Sequence, residues 1–122
     1  MNFSIDEYKA RLRKVQSSMQ EKGIELLISS DTANMNYLTG YDAWSFYYAQ
    51  AVVVHVNAEE PLCWVRKQDS GGAYIKTYLK KENILVYDEK YIHTWPLHPY
   101  DNLVEIIKER KWDKLTVGLE MD

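Results

Sequence analysis

The sequence predicts an α/β fold, a three-layer arrangement in which helices flank a mixed sheet, and three observations support it. Segments with helical periodicity alternate with short apolar runs, the pattern expected when strands are buried beneath helices. Two of those runs, "YAQAVVVHV" and "LCWVR", are separated only by the turn-like "NAEEP", which places one antiparallel pair in an otherwise helix-linked sheet. The 122 residues, 46% of them hydrophobic, are enough for one core and too few for two ordinary domains, so residues 1–122 read as a single unit.

Each element has a local reason. Ser4 and Glu7 have capping-box spacing, and Phe3 and Tyr8 take the positions of a hydrophobic staple. Tyr8, Leu12, Val15 and Met19 then recur on one helical face, with Glu7 placed to pair with Arg11, and Gly23 ends the helix. "IELLIS" is a short apolar strand. Asp31 or Thr32 caps a short helix over "ANMNYLT", which Gly40 terminates. An aromatic loop follows, then the hairpin. "DSGGAYIKTYLKK" reads as a weaker helix, because Gly71 and Gly72 each lower propensity by about 1 kcal/mol relative to Ala. "NILVY" is a strand, and "DEKYIHTWPLHP" is a loop closed by Pro96 and Pro99. "YDNLVEIIKERK" puts Leu103, Ile106 and Ile107 on one helical face, and "KLTVGL" is the last strand. The chain stops at "GLEMD" directly after that strand, as at a domain boundary.

Composition excludes several function classes. A net charge of −3 and a pI near 5.6 argue against a general binder of nucleic acid or anionic membranes. No apolar run approaches the roughly 18 residues of a membrane span, and the N-terminus lacks a hydrophobic export core. A single cysteine, Cys63, precludes an intrachain disulfide and fits a reducing compartment, so a cytoplasmic location is expected.

Catalytic patterns are scarce. His93 and His98, with Asp88, Glu89 and Asp101 nearby, lack helical ligand spacing and are broken up by prolines, so they read as solvated or hydrogen-bonded histidines. His55 reads as an outward-facing strand residue, and Cys63 as a small strand hydrophobe. Ser70-Gly71-Gly72 lacks the flanking residues of a phosphate loop. Arg66, Lys67, Lys76, Lys80 and Lys81 are interspersed with acids and read as a solvated face. What stands out is the aromatic content: ten Tyr and four Trp, with five rings between Tyr41 and Tyr48. Such side chains favour interfaces and ligand pockets. If strand geometry has begun there, Trp44, Phe46 and Tyr48 share one face.

The motifs "GIELLI", "NMNYLTG" with its aromatic loop, and the terminal "VGLE" resemble the N-terminal domain of the creatinase/prolidase family, in order and over essentially the whole chain. Within that family, "MNYLTGYDAWSFY" looks most like ectoine hydrolases, which open the ring of a cyclic amidine solute. The resemblance implies a ribonuclease H-like topology. It also implies that two divalent metals (Mn, Co or Zn) and their ligands lie in a C-terminal "pita-bread" domain outside this sequence, leaving the present segment without catalytic residues. The expected partners are that domain and the second subunit of a cytoplasmic homodimer, with a dipeptide or small-molecule substrate and no nucleic acid or membrane. In creatinase-like members an aromatic and a basic residue of this loop reach the neighbour's substrate, and the matching positions here are Phe46 and Tyr48. Tyr48 departs from creatinase, which has the basic residue there, so creatine-type carboxylate recognition does not carry over.

Two readings follow. In the first, the segment is an accessory and dimerisation domain of a metal-dependent C–N hydrolase, with Trp44, Phe46 and Tyr48 forming a wall over the partner's substrate. Asp42, at the loop tip, either meets a partner-domain cation or is solvated. In the second, it is a free-standing domain of the same fold that binds a small ligand or a protein. The competing role for the rings is to cover the sheet end and the first helix.

Overall fold

The computed structural model describes residues 4–40, 50–66, 77–87 and 99–120, and the account below concerns these. They form α1 (Ile5–Lys22), β1 (Leu26–Ser29), α2 (Thr32–Thr39), β2 (Ala51–His55), β3 (Leu62–Arg66), β4 (Ile84–Tyr87), α3 (Pro99–Glu109) and β5 (Val117–Glu120), with one 3-10 turn at Lys81–Asn83. The five strands make one mixed sheet in the order β4-β3-β2-β1-β5.

Helix α1 starts and stops where its sequence directs. Ser4 Oγ accepts from the Glu7 N–H at 3.2 Å, and Glu7 accepts from Arg11 Nε at 3.4 Å. Gly23, at φ 70°, closes the helix by donating to Gln20 O. The Ile24 N–H is spent on Met19 O at 2.9 Å, so Ile24 belongs to the helix end. The first strand accordingly begins at Leu26, later than the "IELLIS" reading. Asp31 is the residue that caps α2, its Oδ1 accepting from the Ala33 N–H at 2.9 Å.

Strand β2 runs antiparallel to both its neighbours, whereas β1–β5 and β3–β4 are parallel. Two antiparallel pairs therefore replace the single one expected. The reason lies in α2, whose eight residues rise only about 12 Å. The chain leaves β1 at its carboxyl end and re-enters through Val52, paired with Ser29 at that same end.

Strand alternation sorts the core into two layers. Val52, Val54, Cys63, Val65 and Ile84 meet Leu12 and Met19 of α1 and Met35 and Leu38 of α2. Leu26, Ile28, Ala51, Val53, Trp64 and Tyr87 meet Leu103 of α3 on the other face, with Ile106 and Ile107 alongside. Burying each large apolar side chain contributes about 1.5–3 kcal/mol. The helix expected over 69–81 falls mostly outside the described residues, and its described end is not α-helical. There the Glu60 carboxylate takes the Lys80 N–H and Asn83 Nδ2, both at 2.9 Å, which ties the segment to the hairpin turn. Pro99, read as a loop residue, is the first residue of α3, where its missing N–H costs nothing.

Candidate functional site

Four strands, β1, β3, β4 and β5, point the same way, so their carboxyl ends share one rim of the sheet together with the start of β2. In open α/β sheets this rim is where ligands bind. The described residues on either side of 41–49 are both held in place. On one side Thr39 donates its hydroxyl to Met35 O at 2.7 Å, and Gly40, at φ 81°, donates its N–H to Asn36 O at 2.8 Å. A side chain at Gly40 would be strained by that left-handed backbone. On the other side Gln50 is only 6% exposed and leads directly into β2.

The rings predicted to face substrate, Trp44, Phe46 and Tyr48, lie with Asp42 outside the described residues, as do His93, His98, Ser70, Gly71 and Gly72. The aromatic residues that are described have structural work, which composition alone did not separate from binding. Trp64 is fully buried, packs on Tyr87 and Tyr100 with centroids 4.7 and 5.4 Å away, and donates Nε1–H to Asn102 Oδ1 at 3.0 Å. Tyr8 stacks on Tyr78 at 5.1 Å. Arg11 lies over the Tyr8 and Tyr37 rings, at 5.2 and 4.6 Å, and donates Nη1–H to Tyr37 O. That role for Arg11 was not read beforehand; its position one helical turn after Glu7, close to Tyr8, was the available signal.

His55 differs from its outward-facing reading. It shares a face with Val53, lies 5.0 Å from the Trp112 ring, and accepts the Asn57 N–H at Nδ1, because α3 and its extension cover that side of β2. Gln16 Nε2 donates to His55 O and Ala58 O at 3.0 and 2.8 Å, fastening the hairpin end to α1. Burial pushes the Cys63 thiol up to about 12, which makes it unreactive as a nucleophile. Burial, aided by Glu60 and Tyr8, likewise pushes the Tyr78 hydroxyl up to about 12. Lys80 and Lys81 are exposed, as a solvated face requires. Among the described residues no three His, Cys, Asp or Glu side chains gather into a metal-holding group, and no helix is long and apolar enough to cross a membrane.

Residues 11–122 match the creatinase/prolidase N-terminal domain. The chain belongs to that family. The ectoine hydrolase of Halomonas elongata is 40% identical over 121 residues, covering 98% of this chain and 30% of that protein. An uncharacterized hydrolase/peptidase of Sinorhizobium fredii is 37% identical over 121 residues, covering 99% of this chain and 31% of its own length. The creatinase/prolidase N-terminal domain described here thus spans about 30% of the curated relatives it matches, and those relatives are hydrolases or peptidases. In three dimensions it superposes on the N-terminal domain of Xaa-Pro dipeptidase from Lactobacillus brevis with a TM-score of 0.73 and 15% identity, over 89% of this chain and 75% of that one. The creatinase/prolidase N-terminal domain of an X-Pro dipeptidase from Streptococcus pyogenes gives 0.66 at 16% identity, over 91% and 93%. At those identities the likeness establishes the fold.

Proposed function

We propose that this domain is the non-catalytic N-terminal part of a cytoplasmic, homodimeric, metal-dependent C–N hydrolase, and that it overhangs the substrate pocket of the partner subunit. The observation that carries this reading is the 40% identity with an ectoine hydrolase, sustained across nearly the whole chain but only 30% of that enzyme. The same identity favours a small cyclic amidine as substrate over an Xaa-Pro dipeptide, since the dipeptidase likenesses rest on 15–16% identity. Hydrolysis of a cyclic amidine adds one water across a C–N bond and yields an amide and an amine. The two divalent metals that would activate that water belong to the polypeptide outside residues 1–122.

Within this domain the contribution is positional. The described residues flanking 41–49, Thr39 and Gln50, are buried, and Gln50 leads into β2 at the ligand-binding rim, which supports the reading that Trp44, Phe46 and Tyr48 form a wall that excludes water and that Asp42 meets a cation across the interface. The test uses the full-length protein with its metals, assayed on ectoine and on an Xaa-Pro dipeptide. Phe46→Ala and Tyr48→Phe should each lower kcat/KM by roughly tenfold or more while leaving thermal stability nearly unchanged. Loss of stability alone in both variants would refute the wall, and absence of turnover on either substrate would refute the assignment.

A further inference from the structure

At the end of the sheet opposite the ligand-binding rim, on the α3 side, a polar cleft of ≈ 300 Å³ opens where β2 ends at His55 and β3 begins at Leu62. Three segments converge on it: the hairpin turn with Glu59 and Glu60, the turn before β4 with Lys80 and Glu82, and the residues after α3 with Arg110 and Trp112. Val53 and Leu62 give it an apolar floor. Several of its polar groups are placed by the scaffold. Helix α3 ends in a left-handed turn at Lys111, φ 61°, with the Lys111 N–H on Lys108 O and the Trp112 N–H on Ile107 O, which returns the indole to the sheet. Arg110 lies over that indole at 5.3 Å, and the His55 ring is 5.0 Å from it. Because His55 Nδ1 accepts the Asn57 N–H at 3.1 Å, its proton sits on Nε2, which finds no acceptor among the described residues. Glu60 is held through Oε1 by the Lys80 N–H and Asn83 Nδ2, and its second oxygen accepts nothing among the described residues.

Charges of both signs line this cleft without neutralising one another. Among the described residues, Glu59, Glu60 and Glu82 form no ion pair with Lys80 or Arg110. A simple anion entering here would face the carboxylates, and a simple cation would face Arg110, Lys80 and the imidazole N–H. A molecule that carries both signs is complemented at each end and escapes both repulsions. Groups fixed before binding lose less freedom on binding. Here the indole holds the guanidinium, and two hydrogen bonds at 2.9 Å hold the Glu60 carboxylate. The volume stands at the lower limit of small-molecule sites, with room for an amino acid and little more. The indole and the Val53–Leu62 floor suit a short aliphatic body.

We propose that this cleft is a binding site for a small zwitterion of the amino-acid class. The ligand's carboxylate meets Arg110 and the His55 Nε2–H, its ammonium meets Glu60 and Glu82, and its carbon chain lies against Trp112. The test labels the full-length protein with 5-fluorotryptophan and assigns the Trp112 fluorine resonance by its disappearance in Trp112→Phe. Glycine, 4-aminobutyrate and 6-aminohexanoate, which space the two charges differently, are titrated in turn. At least one should move the Trp112 resonance saturably, with half-saturation at about 10 mM or below. Butyrate and butylammonium at the same ionic strength should not. No saturable shift with any of the three zwitterions overturns the proposal, as does an equal response to either single ion. Arg110 and Glu82 are exposed, so Arg110→Gln and Glu82→Gln leave the core intact. Each should raise the half-saturation concentration about fivefold or more. A shift that survives both substitutions unchanged would come from binding elsewhere and would equally overturn it.

Discussion

The indole of Trp64 is the peg that fixes α3 to the sheet, and removing its hydrogen-bond partner exposes how that peg works. In Asn102→Ala the Trp64 N–H, on a side chain 0% exposed in the native chain, loses its acceptor. An orphaned buried donor costs about 1–3 kcal/mol. Trp64→Phe removes the donor itself but shrinks the ring that fills the space against Tyr87 and Tyr100, at a cost of about 1–3 kcal/mol through the cavity. The double variant has the smaller ring and no orphan, so its destabilisation should fall short of the sum by about 1 kcal/mol or more. Urea unfolding of the four proteins followed by far-ultraviolet circular dichroism measures this, a probe that does not depend on the tryptophan being removed. Strict additivity, or an Asn102→Ala cost below about 0.3 kcal/mol, would refute the account of a dry, coupled pair.

Gln16→Ala should cost about 1–2 kcal/mol, since two donor contacts to the hairpin end vanish together, and amide exchange at residues 55–58 should accelerate. Arg11→Lys should recover less than half of the loss seen in Arg11→Ala by the same urea titration, because an ammonium does not reproduce the flat contact with Tyr8 and Tyr37. Cys63 and Tyr78 both titrate higher in the folded chain than their ordinary 9.0 and 10.0. The unfolded chain then binds fewer protons above pH 9, so stability is complete below that value and is lost as pH rises toward 12. Cys63→Ala should flatten that alkaline decline, and native Cys63 should resist thiol reagents at pH 8 until urea unfolds the chain.

Helices α1 and α3 were legible in the sequence because their apolar positions repeat at helical spacing, and Leu103, Ile106 and Ile107 landed on the sheet as read. The strands were legible as apolar runs, but their ends were not. Whether Ile24 starts a strand or finishes a helix is decided by its N–H choosing Met19 O, a competition invisible in one dimension. The same holds for Lys80, which is claimed by a carboxylate twenty residues away. Ring count alone did not divide the tyrosines between scaffold and site: Tyr8, Tyr37, Tyr78 and Tyr87 prove to be scaffold, each through a partner distant in sequence. The proposed site residues sit in 41–49, outside the described residues, whereas the sequence did specify what flanks them, the Gly40 cap and β2.

The pairing of Leu26 with Val117 has a consequence for how the chain is made. These residues are 91 positions apart, and the contact is reinforced by Glu25 accepting the Thr116 N–H. During synthesis β1 emerges early yet waits, its outer edge unzipped, until nearly the whole domain has left the ribosome. Closing so long a loop slows folding and leaves an apolar edge open to neighbours in the interval. Nascent chains stalled before residue 117 should therefore engage chaperones more avidly than chains stalled well beyond it.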